Sequence, residues 1–298
     1  YAGGYGSTGP YSRRPSMAPI AGAVSGGGVA QMGRDAFPPR EILMSIEEIE
    51  GISKKLKRAN DGTADHTTAM VNAVGLILGL YARERTGRAQ YIESTMIAAN
   101  AYANADDFYW HQGKLPRRLP DPGGYGLDAL YRLYHAKSGW VFLACPFEDE
   151  WITLCETIER PDLIVDPRFA THAARETNDD ALVAELSEVF LLREPLDWEK
   201  LLTDSDVACV KAEDRGMYHF FNEDPYFLDH GFLKEVTATR HGKFWRYNPV
   251  IEFSDTRGKA EAAPLKGEHT KRILNELGYT DTQIDDFKER GVIDWEEN

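Results

Sequence analysis

The chain is poor in cysteine: three in 298 residues, Cys145, Cys155 and Cys209, at no metal-ligand spacing. Without a Cys-x-x-Cys pair, zinc sites and dithiol redox chemistry lack their ligands, and an odd number of thiols fits buried, reduced side chains. No uncharged apolar run reaches the roughly 18 residues of a membrane span, so no membrane partner is expected. The opening residues Tyr-Ala-Gly-Gly-Tyr-Gly have neither the basic nor the apolar region of a secretory signal, and a cytoplasmic protein is the expectation. Basic charge is also scarce, with 34 Lys and Arg against 48 Asp and Glu and a net charge of −14. That balance argues against a nucleic-acid partner. G-x-S-x-G, H-E-x-x-H and Walker A are all absent, which removes the anchor residues of serine hydrolases, zinc proteases and P-loop enzymes. There is no internal repeat and no low-complexity tract.

What is present is enough to fold. A composition 42% hydrophobic and 11% aromatic supports one large core or two smaller ones. The acidic charge is uneven: residues 1–118 hold 14 Lys and Arg against 11 Asp and Glu, and residues 119–298 hold 20 against 37. Lys54-Lys55-Leu56-Lys57-Arg58 is the densest basic run, a pattern that most often marks a solvated face.

The most informative stretch begins at Ala64-Asp65-His66. From His66 to Tyr81 apolar residues cover most of a helix, with Gly75 and Gly79 four apart on one side. Such a pattern predicts a core helix that lets a neighbour approach closely. Arg83-Glu84-Arg85 and Gly87 mark its end, the glycine taking the left-handed conformation. Asp65 stands at the helix start, where a carboxylate caps orphan amides and where its ionised form, the form a carboxylate nucleophile needs, is favoured. Spacing alone leaves cap and nucleophile both open. His66 points about 100° away and reads as structural.

After Gly87 the pattern predicts a strand at 89–96 and a helix at 97–113 bearing Tyr102, Phe108, Tyr109 and Trp110, aromatics at a core-like spacing. A Pro/Gly loop over 114–127 is the best internal boundary. A hairpin follows, with Leu130–Tyr134 and Trp140–Cys145 as its strands. Helices are expected at 148–158, 178–192 with Asn178 as cap, and 195–204, then strands at 207–211, 232–238 and 243–253, and helices at 268–277 and 281–290. This mixture without strict alternation predicts an α/β chain with an inserted smaller α+β domain. The divisions expected are 1–112, 113–228 and 229–298.

Two glycine-rich stretches bear on binding. Gly4-Tyr5-Gly6-Ser7-Thr8-Gly9 satisfies G-x-G-x-x-G, but Pro10 to Pro15 follow where a helix should begin, so it reads as a turn allowing close backbone approach to a ligand. Ser25-Gly26-Gly27-Gly28 reads as a surface turn. Asp121-Pro122-Gly123-Gly124-Tyr125-Gly126 sets three glycines around one aromatic, a composition that fits a lid over a substrate and equally a linker.

Read in order, these blocks resemble the class III CoA-transferases, the CaiB/BaiF group that includes formyl-CoA transferase and carnitine CoA-transferase-like enzymes. Tyr5 to Tyr11 resembles the family's strand-exit motif, and Arg14-Pro15 to Ser25-Gly26 the segment after it. Asp65 through Gly87-Arg88-Ala89-Gln90 resembles the catalytic aspartate, its helix and the E-[RK]-T-G-x-G-Q ending. Asp166-Pro167-Arg168-Phe169 with Arg175 and Asn178, and Gly267-Glu268-His269-Thr270 through Gly278-Tyr279 to Gly291-Val292-Ile293, complete the series. The resemblance implies the remainder of a Rossmann-like large domain plus the inserted small domain. It also implies an interlocked dimer, coenzyme A or acyl-CoA as substrate with no permanently bound cofactor or metal, and a carboxylate acceptor. Members normally carry a Rossmann-like region before the Tyr5-Gly6 motif, so a homodimer or a heteromer with a chain carrying that region is expected. Gly33–Asn60 is longer than the usual connection before the aspartate.

Carried over residue by residue, the resemblance makes Asp65 the nucleophile that forms an aspartyl-acyl anhydride and then an aspartyl-CoA thioester. Tyr5 and Gly6 would contact substrate or CoA, and Gly123, Gly124, Tyr125 and Gly126 would form the lid. Two alternatives accompany this reading. One is a non-catalytic or half-site subunit of a heteromeric transferase. The other is an α-methylacyl-CoA racemase-like enzyme, a branch with a histidine base three positions after the arginine that here is Arg14. This chain has Met17 there, which takes no proton, and the racemase glutamate falls on Phe147, next to Glu148.

Overall fold

The computed structural model describes residues 1–26, 43–51 and 64–296. The Lys54–Arg58 run and most of the Gly33–Asn60 connection lie outside the described residues, as do Gly27 and Gly28. The chain divides into two compact units, Tyr1–Ala212 and Glu213–Asn298.

The hydrophobic core of the first unit is built on a four-stranded antiparallel sheet in the order β3-β4-β5-β6, with β3 at Gly126–Asp128, β4 at Tyr131–His135, β5 at Trp140–Ala144 and β6 at Ala208–Ala212. The predicted hairpin is present, pairing Leu133 with Phe142, while β6 pairs Val210 with Phe142 from the other side. Along β5, Val141 and Leu143 are fully buried and their neighbours half-buried, the period-two pattern of a sheet with one covered face. Helices Glu148–Thr157, Asp179–Phe190 and Pro195–Thr203 contribute the other half of this core. Leu182, Leu186, Val189 and Phe190 recur at helical spacing and are buried. Trp198 is 2% exposed and donates its indole N–H to the Phe190 carbonyl at 2.8 Å. Cys145, Cys155 and Cys209 are free and buried here, and burial pushes the Cys155 and Cys209 thiols up to about 12. Such thiols are poor nucleophiles.

The other part of this unit holds β1 (Ala2–Gly3) and β2 (Ser94–Thr95), which pair in parallel, and the helices Ala18–Val24, Ala64–Thr86 and Met96–Ala103. Helix 64–86 ends as predicted, with Gly87 at φ +69° donating its amide to the Arg83 carbonyl. Its burial differs from expectation. Met70, Leu76, Ile77, Leu78 and Tyr81 are all exposed, so among the described residues this is no core helix. Periodicity shows that such a surface needs cover, but the described residues pack against one face only.

Other elements are shorter than predicted. The 89–96 strand reduces to Ser94–Thr95. The 97–113 helix stops at Ala103, followed by a turn at Ala105–Phe108. Asn104 breaks it by leaving helical dihedrals and donating its side-chain amide to the Asn100 carbonyl. Tyr102, Phe108, Tyr109 and Trp110 are exposed rather than core. Asn178 occupies the N-cap position, yet its side chain donates to the carbonyls of Arg168 and Ala174 instead of capping.

In the second unit β7 (Leu233–Ala238) and β8 (Gly242–Tyr247) form an antiparallel hairpin. The second strand ends at Tyr247, short of the predicted 253, because Pro249 has no amide and restricts Asn248. Asn248, opposite Phe232 in the hairpin register, makes the last rung by donating its amide to the Phe232 carbonyl. The predicted closing helices are present as Thr270–Glu276 and Asp281–Glu289. Short helices at Met217–Glu223 and Pro225–Asp229 were not foreseen.

Candidate functional site

Asp65 lies inside the first turn of helix 64–86, one residue beyond its start, and its side chain is exposed. It is a first-turn residue rather than the residue before the helix. With 100° per residue, Asp65, Thr68, Asn72, Gly75 and Gly79 share one stripe, and Asn72 lies about two turns, roughly 10 Å, along the axis from Asp65. That stripe is the packed one. Thr68 is buried, Ser94 Oγ donates to Asn72 Oδ1, and Ile92 rests where β-carbons on Gly75 and Gly79 would stand. The two glycines therefore allow the close approach their spacing predicted, and Ile92 is the neighbour that uses it.

The same 92–97 segment holds the Tyr5-Gly6 turn. Ser94 and Thr95 pair with Ala2 and Gly3, and Ile97 donates its amide to the Gly4 carbonyl. Gly6 has φ +101°, a conformation that favours glycine. Beyond it, Glu93 accepts from both the amide and the hydroxyl of Ser7, each at 2.7 Å. Tyr5 Oη is buried with no hydrogen-bond partner, and its ring meets Tyr11 edge-on at 6.3 Å. Tyr5, Gly6 and the helix of Asp65 are thus tied to one short segment.

Glu93 was not singled out from sequence, since a lone glutamate within the predicted 89–96 strand carries no signal of its own. The Ser7 hydroxyl, and after it the Ser7 amide, hold its carboxyl below the usual value of 4.5. A lowered carboxyl contributes above the ordinary value and loses that contribution as pH falls through the folded-state value. The Ser7 amide proton is expected to titrate in NMR with a midpoint below 4.5. A midpoint at or above it would show that the clamp does not form.

The Gly123–Gly126 turn belongs to the sheet. Asp121 accepts from the amides of Tyr125 and Gly126, Arg132 pairs with Asp121 at 3.5 Å, and Tyr125 stacks on Trp140 at 5.6 Å. Gly123, Gly124 and Tyr125 are exposed. Met17, at the racemase-base position, is exposed at the start of helix 18–24, and Glu148 is engaged with the buried Arg175. Among the described residues no group of three or more His, Cys, Asp or Glu side chains is placed to hold a metal ion. No helix among them is long and apolar enough to cross a membrane.

Comparison with known proteins decides the family. The sequence profile of CoA-transferase family III matches residues 2–270. The chain belongs to CoA-transferase family III. It is 28% identical over 253 residues to a formyl-CoA:oxalate CoA-transferase of Escherichia coli O157:H7 strain EC4115, covering 77% of this chain and 60% of the relative. A formyl-CoA:oxalate CoA-transferase of Shigella dysenteriae serotype 1 matches equally. The chain therefore spans about 60% of the length of these family III relatives. Among solved structures, a hypothetical protein of Mycobacterium tuberculosis aligns with TM-score 0.64 at 21% identity, over 92% of this chain and 67% of that one. A CaiB/BaiF family protein of Brucella suis aligns with TM-score 0.61 at 22% identity, over 93% and 66%. The mixed α/β fold is that of family III.

Proposed function

We propose that this chain transfers coenzyme A between carboxylic acids with Asp65 as nucleophile. The observation that carries the reading is the position of Asp65, exposed in the first turn of a helix whose same face packs on the segment holding Tyr5 and Gly6. An Asp65 carboxylate oxygen attacks the donor thioester carbonyl and CoA thiolate leaves, giving a mixed anhydride. The thiolate then attacks the Asp65 carbonyl, releasing the donor acid and forming an aspartyl-CoA thioester. The acceptor carboxylate attacks that carbonyl, the thiolate leaves again, and its attack on the acceptor acyl carbon frees Asp65. Splitting the exchange in this way keeps each step near the thioester's reactivity, provided water is excluded.

Tyr5 Oη and the Gly6 backbone are the donors for developing oxyanions, since the Ser7 amide is already taken by Glu93. Gly123, Gly124, Tyr125 and Gly126 form the lid. The divisions 1–112, 113–228 and 229–298 belong to the same proposal. Hydroxylamine trapping during turnover, read by mass spectrometry, tests the intermediate: the modification belongs on Asp65, and labelling of another carboxylate refutes the assignment.

The exposed apolar faces of helix 64–86 support a second element, an obligate oligomer that is either a homodimer or a heteromer. Native mass spectrometry of the chain is expected to give a multiple of its mass or a complex with a second chain. A monomer persisting at micromolar concentration would count against it.

A further inference from the structure

We propose that Glu93 is a positioning residue: its carboxylate holds the Tyr5-Gly6 turn beside the helix of Asp65, so that Tyr5 Oη and the Gly6 amide meet the oxyanions formed there. Its part in transfer rests on the CoA-transfer reading. Its hold on the turn does not.

Neighbouring residues of an extended segment point to opposite sides. Over residues 92–95 that alternation joins two parts of the first unit. Ile92 lies against Gly75 and Gly79, and Ser94 Oγ donates to Asn72 Oδ1, so one side of the segment faces the Asp65 helix. The other side faces the turn. A β-carbon on Gly6 would stand 3.5 Å from Glu93 Oε1 and 3.8 Å from Thr95 Cγ2. These four residues therefore set the spacing between the helix and the turn.

The turn is tied at both ends and loose in its middle. Before it, Ile97 donates its amide to the Gly4 carbonyl at 3.1 Å. After it, Glu93 Oε1 accepts the Ser7 amide and Oε2 the Ser7 hydroxyl, a two-armed clamp on an ionised carboxylate. Tyr91 Oη adds a longer contact to Oε2 at 3.4 Å. Between these ties Gly6, at φ +101°, is a joint that no β-carbon restricts. Holding the Ser7 amide fixes the plane of the Gly6–Ser7 peptide, and rotation at that joint is lost. Glu93 and Ser7 are both exposed, so the clamp adds little to folding stability. What it fixes is direction.

Steady-state kinetics and hydrogen exchange on the full chain in its assembly test the inference. Glu93→Ala should lower kcat about 10²-fold, the cost of a displacement of roughly 1 Å at a reacting group, with KM and melting temperature little changed. Glu93→Gln should restore most of kcat, because its Oε1 still accepts the Ser7 amide and its Nε2 donates to the Ser7 hydroxyl. Ser7→Ala should cost less than Glu93→Ala, and nothing further in the Glu93→Ala background, since both changes act on one clamp. Hydrogen exchange of the Tyr5–Ser7 peptide, read by mass spectrometry, reports the hold without turnover. It should quicken in Glu93→Ala and not in Glu93→Gln, with residues 64–86 as in the parent.

Unchanged kcat in Glu93→Ala, or a loss that Glu93→Gln does not recover, overturns the positioning role. A fall in kcat that follows a fall in melting temperature also overturns it, assigning Glu93 to stability. The two readings fail separately. Transfer through Asp65 that survives Glu93→Ala removes the positioning role alone. A parent chain that transfers no CoA removes the transferase, and exchange then decides the hold: quickened in Glu93→Ala it stands, unchanged it falls.

Discussion

Asp65→Ala is expected to lower CoA exchange at least about 10³-fold in the complete assembly while leaving CoA binding in place, if Asp65 is the nucleophile proposed above. Without the carboxylate neither the anhydride nor the aspartyl-CoA thioester can form, so the reaction loses the covalent path that divides it. Asp65→Asn tests the same point with the shape kept: an amide is no nucleophile here, and its loss should match that of alanine. Because the side chain is exposed and is not part of the buried core, thermal melting should stay near that of the parent. Initial rates with labelled donor acid, together with a melting curve, separate the two effects. Activity retained by Asp65→Ala would sink the mechanism, and activity lost together with a large drop in melting temperature would assign Asp65 a structural role instead.

Trp198→Ala is expected to destabilise the first unit by about 3–5 kcal/mol, the range for truncating a large buried aromatic. Trp198 is 2% exposed, packs edge-on to Phe190 at 5.2 Å and donates to the Phe190 carbonyl. The variant opens a cavity and leaves a buried carbonyl without its donor. Trp198→Phe keeps most of the volume and removes only the hydrogen bond, so its cost should be smaller, about 1–3 kcal/mol. Urea unfolding followed by circular dichroism measures both. Equal costs for the two variants would mean that the hydrogen bond rather than the packing holds this part of the core.

Local signals were legible where the sequence states them twice. The helix from Asp65 to Gly87 has an apolar run and a terminating glycine, and the structure has Ala64–Thr86 with Gly87 left-handed. The hairpin around His135 to Gly139 combines alternating apolar residues with a turn, and the structure pairs Tyr131–His135 with Trp140–Ala144, taking His135 into the ladder. Where a single side chain decided, the pattern failed. Asn104 ended a helix that the aromatics appeared to continue, and Pro249 ended a strand by removing one amide. The candidate site was legible only in part. Asp65, Tyr5 and Gly6 stand out in the order of motifs, but Glu93 acquires meaning only when Ser7, distant in sequence, meets it.

The sequence by itself determined the family and the identity of the candidate nucleophile, because motif order and the chemistry of an aspartate at a helix start are properties of the chain read linearly. Only the tertiary structure decided which face of that helix is packed and which is bare. It also decided that Tyr5 and Gly6 share a segment with it. Periodicity reports how much apolar surface a helix carries. What meets that surface depends on contacts between residues far apart in the chain, and no local pattern encodes them.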